Sequence, residues 1–457
     1  MKVQREYDYL LDAAKNIHMI GIGGSGMCPL AEILHSKGYN LTGSDNNESD
    51  PLKRVKALGV KVYMGHSAEN VKDAQLVVYS AAIKSDNAEL VEARRLGIPT
   101  MERSQLLGAI TRKYGNVIGV CGTHGKTTVT SMITHILILN KREPNAVIGG
   151  KLPLVNSNGV VGNSDTLVCE SCEFVDTFLQ LSPDVSVLLN VDNDHLDYFK
   201  TMENLCASFA KFVKMSKIAF VNGDDSLAVN AVKSAETKNI TYGIGENNEY
   251  SAKNITSGKY GFSFDVIKQG KPYAHVNMHI PGNHNVYNGL ASFAVCDYMG
   301  VEVEGICKAI ESFTGAGRRF EFLGEYENFT LADDYAHHPT EITATLTAAK
   351  ELDYKRVVVV FQPFTYSRTH LLKDEFIKSL SLADKVILTP ISAAREENIY
   401  GIKSEHIAEK LNDCVIIDGF ENIADYVIKN TQKGDIVITM GGGDIYKAAH
   451  IIQEKLK

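Results

Sequence analysis

Val117-Ile118-Gly119-Val120-Cys121-Gly122-Thr123-His124-Gly125-Lys126-Thr127-Thr128 reads as an apolar strand running into a glycine loop, and the segment Val129 to Leu139 that follows has the pattern of a helix. Gly122 and Gly125 let backbone N–H groups approach phosphate oxygens. Lys126 brings positive charge to the outer phosphates of a nucleotide, and the Thr127 hydroxyl suits a divalent metal. Thr123, His124 and Thr128 complete the loop. The common G-x-x-x-x-G-K-[ST] spacing is absent, because Val120 stands at the position of its first glycine, and the shorter G-T-H-G-K-T-T form remains. A strand, a phosphate loop and a helix in that order open an α/β domain.

Upstream, short β-branched runs (IHMIGIG, NLTGSD, AQLVVYS) alternate with helical stretches such as PLAEILHSKG and NAELVEARRLG, which implies a parallel sheet. Gly21-x-Gly23-x-x-Gly26 lies between the first of these strands and its helix, and Asp45 ends the next strand. That is dinucleotide-fingerprint spacing, in which glycines admit a diphosphate to a helix N-terminus. A tight turn with no ligand gives the same pattern. Had the chain stopped near residue 105, a nicotinamide dehydrogenase would be the reading. Downstream of the phosphate loop come strands at DTLVCE, VSVLLN and IAFVN, a β-rich insertion from Tyr242 to Ile280, and a helix after PGNHNVYN. A third set (RVVVVF, KVILTP, CVIID, DIVITM) implies another parallel sheet.

The expected fold is therefore α/β in three domains: an N-terminal Rossmann-like parallel sheet over residues 1–104, a central P-loop ATPase-type domain with the β-rich insertion over 105–313, and a C-terminal Rossmann-like domain over 314–457. A length of 457 residues agrees with about 150 residues per domain. Apolar residues at 44% and charged residues at 22% describe an ordinary globular protein, and a net charge of -8 excludes a basic footprint for polymeric nucleic acid. The eight cysteines are scattered, so reduced thiols are expected, and Cys169-x-x-Cys172 lacks the second pair that a zinc or redox site needs. No secretory signal and no membrane segment is read, and a cytoplasmic protein, monomeric or weakly dimeric, is expected.

The G-T-H-G-K-T-T loop resembles the ATP loop of the Mur ligase family, and further family-like segments follow the family's order: GIGGSGM (Gly21 to Met27), DNDHLDYF (Asp192 to Phe199), GNHNVYN (Gly282 to Asn288), GRRFE (Gly317 to Glu321), DDYAHHP (Asp333 to Pro339) and FQPFTYSRT (Phe361 to Thr369). The resemblance implies an ADP-forming ligase of cell-wall synthesis whose three domains bind a UDP-linked substrate, ATP with Mg2+, and an amino acid. The GIGGSGM version implies UDP-N-acetylmuramate and L-alanine as the pair joined.

Residue by residue, the resemblance gives Gly122 to Thr128 to ATP, and Thr127, Glu173 and His195 to magnesium. His284, Asn285 and Asn288 fall to adenine, Arg319 to the phosphates and Asp334 to the ribose. Gly23, Gly24, Ser25, Gly26, Asp45, His66, Ser80 and Ala81 line the UDP pocket, and Arg368 faces a substrate carboxylate. His337 and His338 are candidate bases for the alanine amine. Cys172 and Val175 stand where the family carries acidic residues, and Phe364 and Thr365 where it carries a histidine and an arginine. One of the pair Arg318 and Arg319 is expected to serve only a salt bridge. Three rivals stay open: a peptide-recycling ligase of the same family, a nicotinamide dehydrogenase, and a UDP-sugar sensor without turnover.

Overall fold

The computed structural model describes residues 5–258, 261–394 and 396–457. The chain divides into two compact units, one built from residues 1–255, 264–276 and 287–313, the other from residues 256–263, 277–286 and 314–457.

The first unit holds two sheets. The N-terminal one is five-stranded, in the order Lys61–Met64, Asn40–Asp45, Asn16–Ile20, Leu76–Tyr79, Thr100–Glu102, with every pair parallel. Helices Cys28–Ser36, Asp50–Ala57 and Ala88–Arg95 connect its strands, as right-handed crossovers between parallel neighbours require. Helix Arg103–Arg112 then leads to the central sheet. Its Arg112 Nε donates to both carboxylate oxygens of Asp8 at 2.8 and 2.7 Å, and Nη1 donates to the Gln180 carbonyl at 2.8 Å, so one buried guanidinium ties three segments together.

The central sheet has ten strands, with Asn116–Cys121 between Val185–Leu188 and Thr166–Glu170. Both of those pairings are parallel, so the carboxyl ends of all three strands open on the same edge. Helix Lys126–Leu139 follows the first of them and buries Thr127 and every residue from Val129 to Leu137. A helix buried on nearly all faces must satisfy its polar side chains internally, and the hydroxyls of Thr130 and Thr134 do so by donating to carbonyls four residues back. The hairpin Asn145–Leu152 with Ser157–Val160, which periodicity did not single out, completes one side of the sheet.

In the second unit the sheet order is Glu321–Glu325, Phe329–Asp334, Asp435–Met440, Arg356–Phe361, Lys385–Leu388, Cys414–Ile416. The four strands read from sequence pair in parallel. The expectation of a wholly parallel sheet is corrected at one edge: Glu321–Glu325 runs antiparallel to Phe329–Asp334, because a connection of a few residues can close a hairpin but not a parallel crossover. Among the described residues no helix is long and apolar enough to cross a membrane.

Candidate active site

The phosphate loop owes its shape to two glycines. Gly122 and Gly125 sit at φ 131° and 85°, in the left-handed region open to glycine. A Cβ at Gly125 would lie 2.7 Å from Asn288 Oδ1, so the turn is closed against the helix His284–Tyr298. The His124 amide donates to Asn190 Oδ1 at 2.8 Å, and the His124 ring faces Asp192 at 3.2 Å.

Two carboxylates meet this loop. Lys126 Nζ donates to Glu173 at 3.1 and 2.9 Å and to the carbonyls of Gly122 and Thr123 at 2.6 and 3.0 Å. The Thr127 hydroxyl donates to Glu170 Oε1 at 3.1 Å, and Glu170 Oε2 accepts from the Gly149 amide at 2.8 Å. Burial disfavours the Lys126 ammonium, but the carboxylates around it, Glu173 foremost, outweigh burial and raise its pKa. His195 Nε2 stands 4.0 Å from Glu173 Oε1 and 3.5 Å from Asp194. The chain bends sharply to present these groups, with Val175, Asp176 and His195 at φ 54°, 57° and 55°. A β-branched residue rarely adopts that conformation. It is held here because Asp176 accepts from the Tyr198 hydroxyl at 3.0 Å and from the Ser208 hydroxyl, which braces the Glu173 turn against the His195 turn.

Sequence reading missed Glu170, Asn190 and Asp192. Glu170 is the last residue of its strand, at the edge where ligands gather in parallel sheets, and that position was the available signal. It supplies beside Thr127 the second carboxylate that Cys172 and Val175 do not. Among the described residues no set of three or more His, Cys, Asp or Glu side chains is arranged to hold a metal ion by itself. Thr127, Glu170 and Glu173 are nevertheless hard oxygen donors, and magnesium is ordinarily held by one or two such groups together with substrate phosphates and water.

A cavity of about 300 Å³ in the same unit is lined by Ser25, Gly26, Arg103, Gly149, Glu170 and Cys172, so it runs from the first glycine loop to the carboxylate beside Thr127. Arg103, also missed from sequence, packs on Gly26, where an added Cβ would lie 3.1 Å from its Cδ. Gly23 donates its amide to Asp45 Oδ2 at 2.9 Å, and Asp45 Oδ1 accepts from Asn47 at 3.1 Å, so Asp45 shapes the glycine loop with both oxygens. Gly24 closes a turn onto Gly21 at 3.0 Å, and the Ser25 carbonyl accepts from Asn158. Ser80 Oγ lies 3.6 Å from where a Gly21 Cβ would stand, and Ala81 is exposed. His66 turns Nδ1 toward Glu89 at 3.0 Å.

In the second unit, Asn285 donates to the Pro281 carbonyl at 2.6 Å, and a Cβ on Gly282 would strike the His284 ring at 2.5 Å, so both side chains pack on their own turn. Arg318 is bound to Asp333 at 2.9 Å and to the carbonyls of Gly441 and Gly443. Arg319 lies 3.8 Å from Glu341 and 5.4 Å over the Tyr335 ring. Asp334 accepts from the amides of Phe320 and Ala336 at 2.7 and 2.6 Å. Burial pushes its carboxyl up to about 6, against Arg319 and those two amides. Burial also lowers the pKa of His337, with Glu341 opposing and Arg368 and Arg319 assisting, so these four side chains form one electrostatic group. His338 is different: its Nδ1 accepts from Thr340 at 3.4 Å as the N-cap of helix Pro339–Glu351.

Three family descriptions match the chain in order: Mur ligase family, catalytic domain, over residues 16–114; Mur ligase middle domain over 120–296; and Mur ligase, glutamate ligase domain, over 318–443. A UDP-N-acetylmuramate--L-alanine ligase of Acetivibrio thermocellus is 44% identical over 96% of this chain and 95% of its own length. Another of the same name, from Caldicellulosiruptor saccharolyticus, is 45% identical over 96% and 98%. The crystal structure of UDP-N-acetylmuramate-alanine ligase from Thermotoga maritima superposes with a TM-score of 0.84 at 28% identity, covering 96% of this chain and 98% of that one. A murein peptide ligase of Psychrobacter arcticus shares the fold, with a TM-score of 0.74 at 24% identity and coverage of 97% and 98%. With its phosphate loop, its paired carboxylates and nearly its whole length accounted for in this way, the chain belongs to the Mur ligase family.

Proposed function

We propose that this chain joins L-alanine to the carboxylate of UDP-N-acetylmuramate with conversion of ATP to ADP and phosphate, a step of peptidoglycan precursor synthesis carried out in the cytoplasm. The observation that carries the reading is the pairing of Lys126 with Glu173 and of Thr127 with Glu170 at the start of one buried helix, in a chain alike over its length to ligases of that substrate pair.

Forming an amide from a carboxylate and an amine in water is uphill, so the carboxylate is first activated. One of its oxygens attacks the γ-phosphorus of ATP, the bond to the bridging oxygen breaks, and an acyl phosphate and ADP result. The alanine nitrogen then attacks the acyl carbon, phosphate leaves, and the amine gives up a proton. The protein's part is to position the reactants and to neutralise charge. Lys126 and the amides of Gly122 to Thr128 meet the phosphates. Thr127, Glu170 and Glu173, with His195 beside them, would hold Mg2+, which when bound supplies further positive charge to the phosphoryl oxygens. In the second unit, Arg319 is assigned to phosphoryl charge and Arg368 to a substrate carboxylate. His337, held neutral by burial, is assigned the amine's proton.

Phosphate release from ATP and UDP-N-acetylmuramate tests this, with L-alanine, an L-alanine-containing tripeptide or no amine. Release that requires L-alanine is expected. Preference for the tripeptide would move the chain to the recycling branch, and no release with either amine would sink the ligase reading.

A further inference from the structure

Glu89, the second residue of helix Ala88–Arg95, has no exposed surface, yet four side chains converge on its carboxylate. Oε2 accepts from the Ser44 hydroxyl at 2.6 Å and faces His66 Nδ1 at 3.0 Å. Oε1 accepts from Asn70 Nδ2 at 2.6 Å and faces His18 Nε2 at 3.5 Å. His18, itself fully buried, is fixed through Nδ1 to Thr42 Oγ1 at 2.8 Å. Burial would raise the pKa of Glu89, but the nearby His18 ring and the hydrogen bonds from Ser44 and Asn70 bring it down to about 2, so the group is an anion at working pH.

A buried charge held in this way adds little to stability over a well-packed apolar side chain. Its position says more. Ser44 is next to last in its strand, and His66 follows the end of strand Lys61–Met64 by two residues, so both stand at the carboxyl edge of the parallel sheet, where ligands bind. Gly65, at φ 90°, makes the turn that brings the His66 ring back over Ser44. A carboxylate on Nδ1 fixes both the orientation of an imidazole and the proton on that nitrogen, leaving Nε2 on the far side of the ring. The His66 side chain keeps 16% of its exposure while Glu89 keeps none, so the pair has one face toward the core and one toward solvent.

We propose that Glu89 is a positioning residue for the nucleotide half of the substrate, acting through His66 Nδ1 so that Nε2 is presented to that nucleotide. The inference rests on the reading above only in taking the substrate to be UDP-linked.

The test is a double-mutant cycle of Glu89→Gln and His66→Ala, read by KM for UDP-N-acetylmuramate, KM for ATP and kcat of the intact chain. Glu89→Gln is expected to raise KM for the UDP substrate about 10-fold, as loss of an orienting partner does elsewhere, and to leave KM for ATP within about twofold. Added to His66→Ala, it should change KM for the UDP substrate by less than about twofold, since the group it acts through is gone. An equal effect in both backgrounds, or a parallel rise in both KM values, would overturn the proposal in favour of a purely structural role. Should Glu89→Gln fail to fold, Glu89→Asp, which keeps the charge and shortens its reach to Nδ1, is run in the same cycle and judged by the same criteria. A wild-type chain that releases no phosphate would refute the ligase reading alone. The cycle is then measured by calorimetric titration with UDP, and full additivity there overturns the positioning role.

Discussion

Lys126 Nζ lies 2.9 Å from Glu173 Oε2, with the glutamate side chain 1% exposed and the lysine 13%. Each charge is the other's chief compensation within a buried pocket, and each is also assigned work on the nucleotide. Removing either one therefore acts on stability and on turnover together. Lys126→Ala should lower phosphate release by about 1,000-fold and, by stranding the glutamate, cost about 3 kcal/mol of stability. Phosphate release and thermal unfolding of the same preparation check both effects. Unchanged stability would mean that water reaches Glu173 freely.

Glu170 carries a separate expectation. Its oxygens are shared between the Thr127 hydroxyl and the Gly149 amide, beside the phosphate loop. Chelation of divalent cations should abolish phosphate release. Glu170→Gln should raise the magnesium concentration for half-maximal rate by about 10-fold or more, while the variant still melts cooperatively. A magnesium titration indistinguishable from wild type would remove Glu170 from the metal site.

Asp334 gives the second unit a pH dependence of defined sign. Its folded pKa, about 6, lies above the ordinary aspartate value of 3.8, so between these values the folded state binds more protons than the unfolded one. The protonated form favours folding, and that contribution, about 3 kcal/mol at most, is fully present below 3.8 and is lost as pH rises through about 6. Asp334→Asn removes the titration. The difference in melting temperature between wild type and Asp334→Asn should therefore change between pH 4 and pH 6.5 and be flat above pH 7. A flat difference throughout would mean that the amides of Phe320 and Ala336 keep the carboxylate ionised.

The adjacent histidines should separate cleanly. His337 sits among Arg319, Glu341 and Arg368 with its pKa lowered, so it is a neutral base at pH 7, and the rate it supports should fall only below the usual histidine range. His337→Ala should reduce alanine-dependent turnover by about 100-fold. His338→Ala should leave turnover largely intact and cost about 1 kcal/mol of stability through the lost N-cap. Comparing kcat and melting temperature for the two variants decides the assignment, which is wrong if His338→Ala is the catalytically impaired one.

Much of this protein was legible in one dimension, because the signals are local. Gly122 to Thr128 announces its loop by residue types that only such a turn needs, and the three α/β blocks follow from apolar runs with helical segments between them. Glu173 was expected near the phosphate loop only from the family resemblance, and in the fold its carboxylate accepts from Lys126 Nζ. What only the folded structure decided is partnership across sequence. Glu170 stands beside Thr127 because the strands Asn116–Cys121 and Thr166–Glu170 are neighbours with Val120 opposite Glu170, and sheet order leaves no trace in periodicity. Asp45, expected in the UDP pocket, also holds the Gly23 amide across 22 positions, a pairing that no local pattern announces. Glu89, an ordinary helix residue by pattern, became a buried anion because strands far apart in sequence carry His18 and Ser44 to it, and the turn after a third carries His66. Local chemistry writes loops and periods into a sequence, whereas the desolvation that makes a charge matter exists only once distant segments have closed around it.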